Sequence, residues 1–544
     1  MTAPRDESEV RVPKTGLVLL LLILLGAGAA GMHAFCTESG MGVDSDGVIY
    51  LAVARNLARG HGLTTPFNQT ARRGPGPLVH YPPLFPGALA LLSGATGTAL
   101  SAARLLNASL FAANVFLIGW LVFRCTGGAR LGVLGAILAA TSLDLLELHT
   151  FAWSEPLFIF LCLSGFILLE RHLARGGTTT LIGAALLMAL AWLTRYAGAA
   201  AVATGFLAIL LYGPREKSVR RAALFGAVAC LPMAAWLVRN LAVAGTLTNR
   251  SFAVHLISAR HLFYGINTIS RWLFPIRPID LVESLGRTAA ILAAAIHAAL
   301  IAVLGLLAAA AMIRQARSNP AGPAVSRARP ACIMLLFITC YALMMAAVIS
   351  FFDAHASLTP RLLAPAFVAA LVAALAFLGA GLRCPSRRRG ARLVVAVVCL
   401  AVLGSYVVTS LKWAGHRHRH GAGYTSPDWR NAKTIAYLRS LPADVPIHSN
   451  AADALWFLLD RPARMLPLKV DPPTARANVH YSAELAALKT QLTREPCVVA
   501  YLNSLKRRTY FPSEAELTPI LHLRHLHYSP DGSVYCVAEC DDSH

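Results

Sequence analysis

Eleven apolar runs occupy most of the first 411 residues: 16–35, 102–123, 129–147, 152–170, 178–194, 198–212, 221–243, 288–313, 330–352, 361–382 and 392–411. In lipid such runs can satisfy their backbone groups only as helices or closed barrels. Most approach the roughly 20 residues that a helix needs to cross a hydrocarbon core. A chain that is 56% hydrophobic and 14% charged does not suit a soluble enzyme. The predicted fold class is a polytopic α-helical membrane protein of about 11 spans with a C-terminal extracytoplasmic α/β domain.

The formal charge of +22 would suit a nucleic-acid partner, but its placement argues against one. With a cytoplasmic N-terminus, the inner loops hold 20 of the 49 Lys and Arg residues, among them Arg215, Lys217, Arg220, Arg221, Arg387, Arg388 and Arg389. The short outer loops hold about one each, which is the positive-inside pattern. Eleven spans then put the C-terminus outside, in a multi-pass protein of the cell (inner or plasma) membrane. The run 178–212 is too long for one crossing. Two helices joined by a tight outer turn at Arg195-Tyr196 remove that conflict. The Gly-Ala-Gly-Ala-Ala-Gly stretch in the first segment also reads as a cleavage region, so a signal peptide is the alternative there.

Two large outer loops follow from this count, 37–86 and 244–287. Within the first, Ile49, Val53 and Leu57 are spaced by four and predict a short helix over 46–59. Residues 63–80 read as irregular, and 84–95 as an interfacial apolar segment. Composition divides the chain into a transmembrane part, 1–411, and a soluble outer domain, 412–544. The latter reads as a helix over 428–441, a strand over 496–502 and a hairpin over 519–538 that turns at Pro530-Asp531-Gly532. Cys497, Cys536 and Cys540 leave a disulfide open in that compartment. His416-Arg-His-Arg-His420 reads as a basic surface segment rather than a metal site.

Carboxylates beside a bilayer are costly unless they cap a helix, bind a cation or do chemistry. Asp44 and Asp46 sit at the start of the predicted loop helix. Either Asp44 or Ser45 suits an N-cap, which leaves Asp46 for a second role. Tyr50 follows Asp46 by four residues, on the same helix face. Glu155 precedes Pro156 at a helix start, where capping and function are both open. Arg195, Arg239 and Arg361 fall at the outer membrane edge, where they suit either snorkelling or a lipid phosphate. No P-loop, HExxH, GxSxG or dinucleotide motif occurs.

The stretches Asp46-Gly-Val-Ile-Tyr50, Ala54-Arg-Asn-Leu-Ala-Arg-Gly60 and His80-Tyr-Pro-Pro-Leu-Phe-Pro86 together resemble the first outer loop of GT-C glycosyltransferases. The closer resemblance is to the branch of protein O-mannosyltransferases, aminoarabinose lipid A transferases and their bacterial relatives. Trp153-Ser-Glu155-Pro-Leu-Phe158, Leu193-Thr-Arg195-Tyr-Ala-Gly198, Trp236-Leu-Val-Arg239-Asn240, Thr359-Pro-Arg361-Leu-Leu-Ala-Pro365 and Ser449-Asn450-Ala-Ala-Asp453 are similar to later family segments, in family order. The family loop commonly reads Asp-Glu-x-x-Tyr; this chain has Gly47 at the second acid and an additional acid at Asp44.

The resemblance implies a polyprenyl-phosphate-linked sugar donor, a lipid, glycan or protein acceptor, and transfer with inversion. It implies Asp46 as base with Asp44 and Glu155 as helpers. It places Arg195, Arg361 and Arg239 on the donor phosphate, and Tyr50, His80 and Tyr81 in the substrate loop. No cofactor is specified; a divalent cation beside the acids is left open. The rival readings are a lipid or solute transporter or flippase of the cell-envelope glycan pathway, and a membrane-anchored binding protein. The topology is testable by labelling single cysteines from outside sealed cells. A cysteine replacing Val470 is expected to react and one replacing Arg388 is not; labelling at 388 overturns the orientation.

Overall fold

The structure is a computed structural model that describes residues 13–66, 76–273, 323–382, 389–505 and 508–537, with isolated positions between 292 and 299. The first half runs α1 (Pro13–Cys36), α2 (Ser45–Ala58), the two-stranded ladder β1 (Thr64–Thr65) and β2 (Gly76–Pro77), α3 (Leu84–Thr96) and α4 (Ala99–Thr126). It continues with α5 (Ala129–Ala140), α6 (Leu143–Thr150), α7 (Glu155–Arg175), α8 (Thr178–Thr194), α9 (Gly198–Tyr212), α10 (Arg215–Ala244) and α11 (Ala259–Ser270). Then come α12 (Pro323–Phe351), α13 (Pro360–Leu382) and α14 (Arg389–His420). Among the described residues seven of these helices are long and apolar enough to cross a membrane. The chain is a multi-pass membrane protein.

Most expected spans correspond to single helices, and 288–313 lies outside the described residues but for those isolated positions. One does not. The run 129–147 is the pair α5 and α6, bent by 54°. The break has a local cause. Thr141 Oγ1 donates back to the Ile137 carbonyl at 2.7 Å, and Ser142 caps a new helix by accepting from the Leu145 N–H at 3.4 Å. Ser and Thr compete in this way with the helix ladder. The two-helix reading of 178–212 holds, with the turn at Arg195. Gly198 makes it possible: a Cβ there would lie 2.3 Å from Trp192 Cα. At 17 and 15 residues, α8 and α9 are short for a straight crossing. The bundle core is built from buried aromatics such as Phe111, Phe158, Phe166 and Phe337, interleaved with alanines.

The last bundle helix continues to His420, past the boundary at 411 that composition implies. Beyond it lie α15 (Pro427–Arg430), α16 (Lys433–Ser440), β3 (Ile447–Ser449), α17 (Ala452–Leu459), β4 (Ala463–Met465), β5 (Val470–Asp471), β6 (Arg476–Ala477), α18 (Tyr481–Arg494), β7 (Val498–Leu502), α19 (Glu514–Leu521), β8 (Leu523–Ser529) and β9 (Gly532–Val537). The main sheet has the order β4-β3-β7-β9-β8. Strand β3 is parallel to β4 and β7, while β9 is antiparallel to β7 and β8. The expected helix over 428–441 is two pieces, broken at Asn431-Ala432. The hairpin turns where expected, at Pro530-Asp531, though 519–521 belong to α19. Cys497 and Cys536 are not joined by a disulfide, and Cys540 lies outside the described residues.

The sheet domain meets the bundle through backbone. Residues 42 and 43 form bridges to Phe151 on one side and Gly423 on the other. The Tyr424 N–H donates to the Val43 carbonyl at 2.8 Å. Gly423 has φ of 55°, and a Cβ there would lie 2.1 Å from the Val43 oxygen. Gly423→Ala is therefore expected to destabilise the protein by roughly 1–3 kcal/mol through overpacking and backbone strain. Thermal unfolding in detergent measures this; an unchanged midpoint contradicts the close approach.

Candidate active site

Four segments converge where the bundle meets the sheet domain: the starts of α2, α7 and α13, and the turn between α8 and α9. Asp44 is the N-cap of α2, its Oδ1 accepting from the Gly47 N–H at 3.0 Å. Asp46, in the first turn, is left for other partners. Its Oδ1 accepts from the Tyr81 hydroxyl at 2.5 Å, and its Oδ2 lies 2.7 Å from Arg361 Nη1. Glu155 opens α7 but does not cap it. Its buried Oε1 accepts from Arg361 Nε at 2.5 Å and lies 2.7 Å from Arg195 Nη1. Arg361 Nη1 is also 3.5 Å from Asp44 Oδ2. The Arg361 guanidinium lies over the Trp153 ring at 4.2 Å, and Trp153 stacks on Phe151 at 4.4 Å. Arg195 Nη1 further donates to Ser154 Oγ at 3.1 Å, the same hydroxyl that Tyr50 OH meets at 3.2 Å.

Part of this cluster lines a cavity of about 840 Å³, whose wall includes Asp46, Tyr50, His80, Tyr81, Arg195 and Arg361. Glu155 does not reach the cavity. It stands behind the wall, 1% exposed, and orients both arginines. Arg239 is also elsewhere. It donates to the Leu78 carbonyl at 2.6 Å and lies over Trp236, tying α10 to the loop. The structure thus brings together Asp44, Asp46, Glu155, Arg195, Arg361, Tyr50, His80 and Tyr81, and leaves Arg239 outside.

Two neighbouring carboxyls have opposite electrostatics. Burial and the adjacent Asp46 charge push Asp44 up to about 6, although Arg361 opposes this. Burial also acts against the Asp46 carboxylate. Its Arg361 contact, the Tyr81 hydrogen bond and the Arg195 charge outweigh that, so Asp46 is held below its ordinary value. His80 is pushed down to about 3 by burial and by Arg250, and is neutral. Among the described residues no group of three His, Cys, Asp or Glu side chains is placed to hold a metal ion. Asp44, Asp46 and Glu155 are bridged by a guanidinium of the protein itself and do not form a metal-ligand set.

Other polar groups on the cavity wall escaped the sequence reading: Asp144, Glu147, Arg250 and Asp353. Asp144 Oδ1 pairs with Arg271 at 2.9 Å, Glu147 with Arg417 at 3.2 Å, and Asp353 with Arg250 at 3.4 Å. A signal for the first two was present. Acids three residues apart at the end of an apolar run share one helix face. Counting 129–147 as a plain span concealed them.

No family model matches the chain, and no curated protein matches it. Solved structures do. A crystal structure of ArnT from Cupriavidus metallidurans bound to undecaprenyl phosphate aligns with a TM-score of 0.57 at 14% identity, covering 96% of this chain and 99% of that one. The archaeal oligosaccharyltransferase AglB from Archaeoglobus fulgidus, in complex with an inhibitory peptide and a dolichol-phosphate, aligns at 0.55 and 14% identity, over 97% of this chain and 75% of that one. Arabinofuranosyltransferase AftD from Mycobacteria aligns at 0.51 and 17% identity, over 95% of this chain and 40% of that one. The chain shares the fold of these three structures. In this bundle, Glu155 and Arg361 meet although 206 residues separate them in sequence.

The contrast between the two aspartates predicts a pH-dependent stability difference. A carboxyl raised from 3.8 to about 6 favours the folded state at low pH and loses that contribution as pH rises through about 6. Asp44→Asn keeps a good cap. It is expected to stabilise the protein above pH 6 and to lose the advantage below pH 4. The full shift would be about 3 kcal/mol. With 35% of the side chain open to water, about 1 kcal/mol is expected. Unfolding midpoints at pH 8 and pH 4 check it; equal behaviour at both contradicts the raised value.

Proposed function

We propose that this protein is an integral membrane glycosyltransferase that moves a sugar from a polyprenyl-phosphate donor to an acceptor on the side of the sheet domain. The observation that carries the reading is the Asp46 carboxylate beside Arg361 and Arg195 on one cavity wall. Two structures of the same fold, ArnT with undecaprenyl phosphate and AglB with a dolichol-phosphate, support the donor class. On this reading the cavity opens extracytoplasmically and the N-terminus is cytoplasmic.

The chemistry follows from the donor. An acceptor hydroxyl has a pKa far above 7 and needs a base. As its oxygen attacks C1 of the sugar, the proton passes to Asp46. The C1–O bond to phosphate breaks, and the electron pair leaves with the polyprenyl phosphate. A single displacement of this kind inverts C1. Asp46 is a weak base while Arg361 holds it. A phosphate that draws on the Arg361 charge weakens that hold and raises the basicity of Asp46 as the donor binds. Arg361 already commits Nε and Nη1 to carboxylates, so Nη2 is the donor it offers to phosphate. Arg195 and Arg250 add positive charge on the same cavity. The acceptor is a lipid, glycan or protein hydroxyl. A transporter would gather such groups near the bilayer midplane; here they lie against the sheet domain.

The test is release of polyprenyl phosphate from synthetic polyprenyl-phosphate sugars, with a membrane extract as acceptor source. Asp46→Asn is expected to lower transfer by about 100-fold or more. Arg361→Lys is expected to weaken both binding and transfer, because one ammonium cannot bridge three carboxylates and a phosphate. Near-normal transfer by Asp46→Asn at normal abundance overturns the base assignment. No transfer by wild type from any such donor overturns the proposed function.

A further inference from the structure

The helix that carries Asp46 is held from outside the membrane bundle. Its first residue, Ser45, hydrogen-bonds through Oγ to Asp453 Oδ2, in the first turn of α17 of the sheet domain. Asp453 is 1% exposed. Arg508 grips it in two-pronged fashion, Nη1 to Oδ1 at 2.9 Å and Nη2 to Oδ2 at 2.8 Å. The same Nη2 donates to Ser45 Oγ at 2.5 Å and to the Tyr424 hydroxyl at 3.0 Å. Tyr424 OH in turn donates to Asp453 Oδ2 at 2.8 Å. Three side chains from three separate segments, Asp453, Arg508 and Tyr424, thus close on one serine hydroxyl, next in sequence to Asp46.

A dry carboxylate–guanidinium pair is not needed merely to dock two surfaces. The same interface is already covered by apolar contacts of Ile49, Val53, Leu455 and Trp456. Apolar replacement of a buried pair often costs no stability, whereas its directional bonds fix geometry. Here the fixed object is the first turn of α2. Asp44 caps that turn and Ser45 is its anchored residue, so the direction in which Asp46 points is set by both.

We propose that Asp453 and Arg508 are positioning residues: through Ser45 they hold the first turn of α2 so that Asp46 faces the cavity in the geometry needed for transfer. The sheet domain is then part of the catalytic apparatus. This rests on the glycosyltransferase reading for its kinetic arm, but not for its structural arm. Burial acts against the Asp453 charge, but Arg508, Ser45 and Tyr424 more than offset it and hold the carboxyl down at about 2, so the pair stays charged across the working pH range.

The experiment uses the full-length protein in nanodiscs and four variants. Asp453→Asn breaks the ion pair. Ser45→Ala keeps the pair and removes only the link, which guards against misfolding of the first variant. Asp460→Asn is the control; it loosens an exposed contact of Asp460 with Arg55 between the same two elements, at 2.5 Å, without touching Ser45. The fourth is the double variant of Asp46→Asn with Asp453→Asn. Asp453→Asn is expected to lower kcat by about 10- to 100-fold, with donor KM within about 3-fold. Ser45→Ala is expected to lower it by several-fold, on the order of one misaligned hydrogen bond, and Asp460→Asn to leave it unchanged. The double variant is expected to be no slower than Asp46→Asn alone, because positioning acts only through that base. Hydrogen exchange of residues 44–50 is expected to rise in Asp453→Asn and Ser45→Ala, and not in the control.

Wild-type kcat together with unchanged exchange in both linking variants overturns the inference. So does an additive further loss in the Asp46→Asn background, which marks a general structural role. If wild type transfers no sugar, the proposed function falls, and exchange over 44–50 alone decides whether the sheet domain holds that turn.

Discussion

One guanidinium organises the mouth of the cavity. Arg361 reaches Glu155 with Nε and both Asp46 and Asp44 with Nη1. Three carboxylates this close would repel one another by several kcal/mol per pair at an effective dielectric of about 20. A cation between them offsets part of that repulsion, and Trp153 beneath it fixes its plane. Arginine is suited to this because its planar fork can address several oxygens at once. The starts of α2, α7 and α13 converge because they contribute charges, two from α2 and one each from α7 and α13, that none could bury alone.

This arrangement also divides labour between acids of similar sequence appearance. Glu155 is spent on orienting Arg195 and Arg361. Asp44 is spent on capping α2 and sits at the cluster's edge. Of these three acids only Asp46 brings its carboxylate to the cavity, and it keeps a charge that the cluster favours. The two contributions from the sheet domain, backbone pairing at Gly423 and the Asp453–Arg508 grip on Ser45, steady the segment that bears both aspartates.

Much of this was legible in order along the chain. The apolar runs marked the bundle helices, because hydrophobic length is a one-dimensional property that lipid reads directly. The turn at Arg195 followed from the length of 178–212. Asp46 and Tyr50 on one helix face followed from a spacing of four. The bend between α5 and α6 was less legible: Thr141 and Ser142 carry its cause, but their effect depends on side-chain hydrogen bonds that replace ladder bonds. Arg239 illustrates the limit. It lies at the same end of the bundle as Arg195 and has the same charge, yet its guanidinium turns to the Leu78 carbonyl.

What the sequence determined by itself was which segments enter lipid and which few charged residues sit beside it, since burying apolar length and excluding charge are local costs. Which of those charges meet was decided only by tertiary structure. Glu155 finds Arg361, and Ser45 finds Asp453 and Arg508, across hundreds of intervening residues. Ion pairing and hydrogen bonding act over a few ångströms and depend on orientation. Their partners are therefore chosen by how the helices pack, not by distance along the chain.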